Sequence, residues 1–191
     1  MKNIRIEESN EQKAQFVKVG TRNGKPLVRV YFNQRTEERE DEMGDEPTKY
    51  TVHIANFIER ESEKDNALDV VKEEAIEQIE AYDTSPSVNG FLLNGSVEWI
   101  DIELRMKLCS RTLPEEKKAG KTSTVLWLGN KPYELPIETI EQIMHEIEIY
   151  AKACLDVTNS HKAQVLALSD VSALVAYDYT AGYPEKLSFN I

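Results

Sequence analysis

Two cysteines in 191 residues, Cys109 and Cys154, are too few for a disulfide scaffold, so cross-links cannot be what holds this chain together. They read as two reduced, buried thiols. No apolar run approaches the roughly 20 residues that span a bilayer, so no membrane partner is expected. The start, Met1-Lys2-Asn3-Ile4-Arg5-Ile6-Glu7-Glu8, lacks the apolar segment of a signal peptide, and export by the Sec route is not expected. Cations are in deficit, with 23 Lys+Arg against 34 Asp+Glu and a net charge of −11. Phosphate contacts need clustered Lys and Arg, so neither nucleic acid nor an anionic membrane surface is an expected partner.

Catalytic and ligand-binding motifs are missing as well. Gly120-Lys121-Thr122 matches the end of a phosphate-binding loop, but Glu115 stands where that loop needs a glycine. The order is also wrong, because a helix leads into a strand here; Gly120 reads instead as a helix C-cap. His53, His145 and His161 are far apart, and no Cys-x-x-Cys or His-Glu-x-x-His occurs. His161 reads as a hydrogen-bonded packing residue. No Gly-x-Ser-x-Gly elbow is present, and Asp41 to Glu46 lacks the spacing of a calcium loop. Glu141, Glu146 and Glu148 read as the solvated side of a helix. No enzyme activity, catalytic residue, cofactor or metal is expected.

What is present is a regular alternation of strand and helix signals. Gln15–Val19 and Leu27–Phe32 flank Arg22-Asn23-Gly24-Lys25, whose Asn-Gly pair marks a tight hairpin turn. Tyr50–Ala55 alternates again, so residues 1–60 are expected to form an antiparallel β subdomain. Between these strands, Glu37–Glu46 holds seven acidic residues in ten and reads as a solvated loop that could order on binding. Apolar residues then recur at helical spacing from Ala67 to Ile79. They define a linking helix over 61–82, with Ser62 or Asp65 as its cap. Charge is shared almost evenly, with −6 over residues 1–80 and −5 over 81–191.

Residues 83–191 open with a second Asn-Gly hairpin, Phe91–Trp99 around Asn94 and Gly95. Asp101 should cap a short helix through Leu104, Leu108 and Cys109, and Pro114 opens another short piece. Thr122–Leu128 reads as a strand turned back by Gly129-Asn130. Ile140, Met144, Ile147, Ala151, Cys154, Thr158, His161, Val165 and Leu168 then step by four and three. This heptad-like seam predicts a long helix over 138–168, capped by Thr139. It suits packing on the protein's own hairpins or self-association, the former being the first expectation. Ser169-Asp170 starts a shorter helix toward Ala176, and Leu187-Ser188-Phe189 is a final strand. The fold class is therefore α+β: an N-terminal antiparallel sheet plus C-terminal β-hairpins packed on one long helix.

Tyr177, Tyr179, Tyr183 and Phe189 crowd into thirteen residues around Gly182 and Pro184. Aromatics at that density either complete a core or anchor an interface, and core closure is the first expectation. Together with the turns at Asn23, Gly24, Asn94 and Gly95 they are the candidate interface.

Several local runs carry a resemblance. They are Ala81-Tyr82-Asp83-Thr84-Ser85, Leu93-Asn94-Gly95, Trp99-Ile100-Asp101, Leu126-Trp127-Leu128-Gly129 and, longest, Val175-Ala176-Tyr177-Asp178-Tyr179-Thr180-Ala181-Gly182-Tyr183-Pro184-Glu185-Lys186-Leu187. Through them, residues from about Glu80 to Ile191 resemble an uncharacterised virion-associated domain of tailed phages and prophages, tail-fibre-type and Bacteroides-phage-like. The resemblance implies a non-enzymatic structural protein of the tail, tail fibre or neck. Such a protein would dock on other virion proteins as a homo-oligomer or in repeated symmetric copies, in the virion and in the host cytoplasm during assembly. The alternative is a transient tail or fibre assembly factor or chaperone. The family offers no catalytic residue to carry over, and residues 1–80 lie outside the resemblance.

Overall fold

Asn23 and Gly24 both take positive φ, 52° and 78°, as a two-residue hairpin turn requires. They join β2 (Phe16–Arg22) to β3 (Lys25–Asp41), and β4 (Thr48–Glu61) and β1 (Arg5–Ser9) complete an antiparallel sheet of order β1-β4-β3-β2. The computed structural model describes residues 1–41 and 48–191. In it the chain divides into two compact units, Met1–Gln78 with Lys162–Tyr179, and Ile79–His161 with Thr180–Ile191. The units are thus not contiguous in sequence.

In the first unit, the period of two sorts β3 cleanly. Val28, Val30 and Phe32 are buried on one face, with Val30 opposite Ile58. Tyr31, Ala55 and Phe57 cluster on the other, with Val17 against them. On that second face Arg29 lies directly across from Glu59, its Nε 2.6 Å from Oε2, and its guanidinium sits 4.9 Å from the Phe57 ring centre.

The acidic stretch is only partly a loop. Glu37–Asp41 continue β3 and pair with Thr48–Val52, beyond a register shift between Phe32 and Arg35 where Asn33 has φ 50°. Like charges do not break the strand because opposite charges interleave with them. Arg39 holds Glu8 at 2.8 Å and Glu37 at 3.4 Å, and Lys49 holds Glu40 at 3.3 Å. The rest of the expected loop, 42–47, lies outside the described residues.

The helix expected from residue 61 begins later, as α1 (Ala67–Asp83), and neither Ser62 nor Asp65 caps it. Asn66 does: its Oδ1 accepts from the backbone N of Asp69 at 2.9 Å. Ser62 is buried and donates to Glu73 at 2.6 Å, while Asp65 pairs with Lys18 at 2.8 Å. Arg60, opposite Val28 and so on its face, reaches Glu74 at 2.9 Å and Glu77 at 2.6 Å on α1. The helix therefore covers that face of the sheet. α5 (Val171–Ala176) packs against β3 and buries Val171, Leu174 and Val175, with Asp170 as its cap.

The second unit builds its core on α4 (Ile137–Ala167), a helix of 31 residues. It starts directly after Pro136, so Thr139 lies inside its first turn and is not its cap. Ile140, Met144 and Ile147 meet Phe91 and Leu93 of β5 (Phe91–Leu93), Leu126 and Leu128 of β7 (Ser123–Leu128), and Leu135 of β8 (Lys131–Pro136). The seam thus faces the chain's own hairpins, and each fully buried Leu or Ile side chain contributes about 1.5–3 kcal/mol. Asn94 and Gly95, at φ 50° and 78°, turn β5 into β6 (Ser96–Glu98). β9 (Ser188–Phe189) lies parallel beside β5, giving the order β6-β5-β9. Between them run α2 (Ile102–Lys107), a π-helical turn (Leu108–Thr112) and α3 (Leu113–Lys118) without a break. The architecture is α+β, an N-terminal antiparallel sheet followed by hairpins packed on one long helix.

Candidate functional site

The closing segment is anchored residue by residue. Tyr179 is buried in the first unit, its hydroxyl 3.4 Å from Gln78 Oε1, which also accepts from the backbone N of Lys2. Half-buried Tyr177 ends α5, its backbone N donating to Leu174 O at 3.2 Å. Burial and then the Asp178 carboxylate push its phenol upward.

Tyr183 belongs to the second unit. Its hydroxyl lies 2.9 Å from Thr158 Oγ1, and Thr158 donates its proton to Asp83 Oδ1 at 2.7 Å. A hydroxyl has one proton to give, so Tyr183 must donate to Thr158. Burial first, and then the Asp83 charge, raise the Tyr183 pKa. The Tyr82 ring meets Tyr183 edge-on at 5.4 Å, and the His161 ring lies 5.8 Å away. His161 Nε2 is 2.9 Å from the Ala181 carbonyl, which places the proton on Nε2. His161 is thus a hydrogen-bonded packing residue. Phe189 packs edge-on to Phe91 at 5.8 Å.

The candidate interface residues are divided between the two units. Tyr179 and Tyr177 are in one unit, and Tyr183 and Phe189 in the other. Asn94 joins the Phe189 group, since its N donates to Phe189 O at 2.9 Å and its Oδ1 accepts from Ile191 N at 2.9 Å. Gly95 is exposed beside it. Asn23 and Gly24 are exposed on the first unit, where Asn23 donates to Glu61 at 2.9 Å.

A different surface stands out in the second unit. α2 is inverted: it buries Arg105, only 8% exposed, while Ile102 (57%), Leu104 (39%) and Met106 (64%) face solvent. The Asp101 cap is as expected, its Oδ1 accepting from Glu103 N at 2.7 Å. Of the apolar positions expected along it, Leu108 packs against the core of the second unit while Leu104 is exposed. Cys109 is also exposed, so only Cys154 is a buried thiol. A signal for this was present in Ile100, Ile102, Leu104 and Met106, because residues two apart do not share a helix face. Trp99 and, on the outer face of β7, Val125 and Trp127 are exposed too.

Beneath α2 lies a cavity of about 220 Å³ whose lining includes Phe91, Trp99, Arg105, Tyr150, Cys154 and Leu155, all of the second unit. Tyr150 donates to Val88 O at 3.0 Å, and burial drives its phenol pKa well up. Burial likewise raises Cys154, and burial with the Glu148 and Glu141 charges raises Cys109. Both shifts favour the protonated thiol. Among the described residues no three His, Cys, Asp or Glu side chains converge as a metal site would require, and no helix is long and apolar enough to cross a membrane.

These features define an α+β chain with an exposed apolar face on α2. No family model, curated protein or solved structure matches the chain.

Proposed function

We propose that the chain is a non-enzymatic structural protein of a phage virion, at the tail, tail fibre or neck, that works by docking on other virion proteins. The virion context rests on the resemblance of residues 80–191. The docking role rests on one observation, the inverted helix α2. A short helix that hides its arginine and shows Ile102, Leu104 and Met106 to water gains only if a partner covers those side chains. Trp99, 52% exposed and three residues before the start of α2, supplies the kind of aromatic anchor that dominates interface energies. The net charge of −11 favours a basic partner surface and makes association weaken with added salt.

Quantitative mass spectrometry of purified particles tests this. A virion part appears in an integral symmetric copy number, and I102S/M106S should lower its incorporation. Absence from mature particles would exclude a permanent structural role and leave a transient assembly factor. Full incorporation of I102S/M106S would remove α2 from the docking surface.

A further inference from the structure

We infer that the cavity beneath α2 is a binding site for a small apolar monocarboxylate, held through its carboxylate by Arg105. This goes beyond the docking role and does not depend on it.

The argument begins with Arg105. Its side chain lines the cavity and is only 8% exposed as a residue, and its Nε is buried with no hydrogen-bond partner. The guanidinium is engaged at another atom, Nη1, which lies 3.0 Å from Glu148 Oε1. A buried donor on a charged group is costly to leave unpaired, and arginine's forked edge fits a carboxylate with two parallel bonds. Nε itself has almost no surface open to the cavity, so an acceptor reaches it by displacing the Arg105–Glu148 contact.

The rest of the lining sets the body of the ligand. Phe91, Ile100, Ile147 and Leu187 are apolar walls, while Trp99 and Leu155, 52% and 47% exposed, place the opening at the solvent boundary. A cavity of about 150 Å³ holds benzene. At about 220 Å³ this one has room for such a ring and a short carboxylate-bearing arm. Asp83 also lines the cavity, its Oδ1 already accepting from Thr158, and it acts against a second negative charge. A monocarboxylate is therefore preferred to a dicarboxylate. The same chemistry is offered by a free acid and by the C-terminal residue of a partner chain that ends in an apolar side chain.

The chain's two tryptophans allow a direct test, because Trp99 lines the cavity and Trp127 does not. In a W127F background, Trp99 fluorescence is followed while 3-phenylpropionate, its amide or phenylsuccinate is added. The acid should give a saturable change and bind at least about tenfold more tightly than the amide, the size expected of charge-assisted hydrogen bonds. It should also bind more tightly than phenylsuccinate. R105Q should weaken the acid by a similar factor. E148Q, which releases the competing carboxylate, should strengthen it, a result that a merely structural Arg105 would not produce. A151L fills the cavity from α4 and should abolish binding in a folded protein, which covers the case of R105Q failing to fold. Peptides ending in phenylalanine, with free or amidated termini, distinguish the sources. Binding of the free-terminus peptide alone assigns the site to a partner chain, and binding of 3-phenylpropionate assigns it to a small acid. No saturation by either up to about 10 mM, equal binding of acid and amide, or unchanged binding in A151L would each overturn the inference.

Discussion

Replacing Arg29 with methionine should destabilise the first unit by about 2–3 kcal/mol. The side chain holds three strands at once. Its Nε meets Glu59 of β4 at 2.6 Å, its Nη1 meets Glu7 of β1 at 3.1 Å, and its plane lies over Phe57. Glu59 has a side chain only 8% exposed, so it would be left with Arg22 at 3.3 Å and Arg5 at 3.9 Å, both more than half exposed. Breaking a fully buried pair costs about 3–5 kcal/mol. The figure is scaled down because Arg29 is 30% exposed and two arginines remain. In a chain of this size the melting temperature should fall by about 4–12 °C. A double-mutant cycle with E59Q in urea should give a coupling of about 1–2 kcal/mol. Arg29 holds the Glu59 carboxyl below its usual value, so the pair's contribution is present above the unfolded glutamate pKa of about 4.3. It is lost as pH falls through the lower folded value, and the gap between wild type and R29M should close in acid. A cost under about 0.5 kcal/mol, or strict additivity with E59Q, would refute the reasoning.

Leu113, with no exposed surface, sits in the core of the second unit, and L113A should cost about 2–5 kcal/mol in chemical denaturation. T158V removes the hydroxyl between Tyr183 and Asp83 and should cost about 1–3 kcal/mol, read as a lower melting temperature; the Tyr183 phenol should titrate above the usual tyrosine range in ultraviolet absorbance. Ellman's reagent should modify Cys109 slowly at neutral pH in the native protein and reach Cys154 only on unfolding, and C109S should abolish the native-state reaction.

Local chemistry was legible in the residues. The Asn-Gly turns at 23–24 and 94–95 follow from the left-handed backbone those residues tolerate, and the Asp101 and Asp170 caps from a carboxylate beside free helical amides. The four-and-three spacing of Ile140, Met144 and Ile147 sets the inward face of α4. β1 was not legible, because Ile6 is 66% exposed and its neighbours are charged, so nothing in its own pattern marks a strand. Nor was the reach of β3 through Glu37–Asp41, since the cations that make it tolerable come partly from other strands. The candidate site shows the same division. The aromatics of the closing segment were visible as a cluster, but not that Tyr179 and Tyr183 serve different units.

By itself, then, the sequence determined the turns, the Asp101 and Asp170 caps, the long helix and the acidic surface, because each depends on residues within a few positions of one another. Tertiary structure decided that β9 returns to lie parallel to β5, that α2 shows its apolar side to water, and that Arg105 is buried over a cavity with its Nε unpaired. Those outcomes depend on which distant side chains occupy the space around a residue, and no short window of sequence contains them.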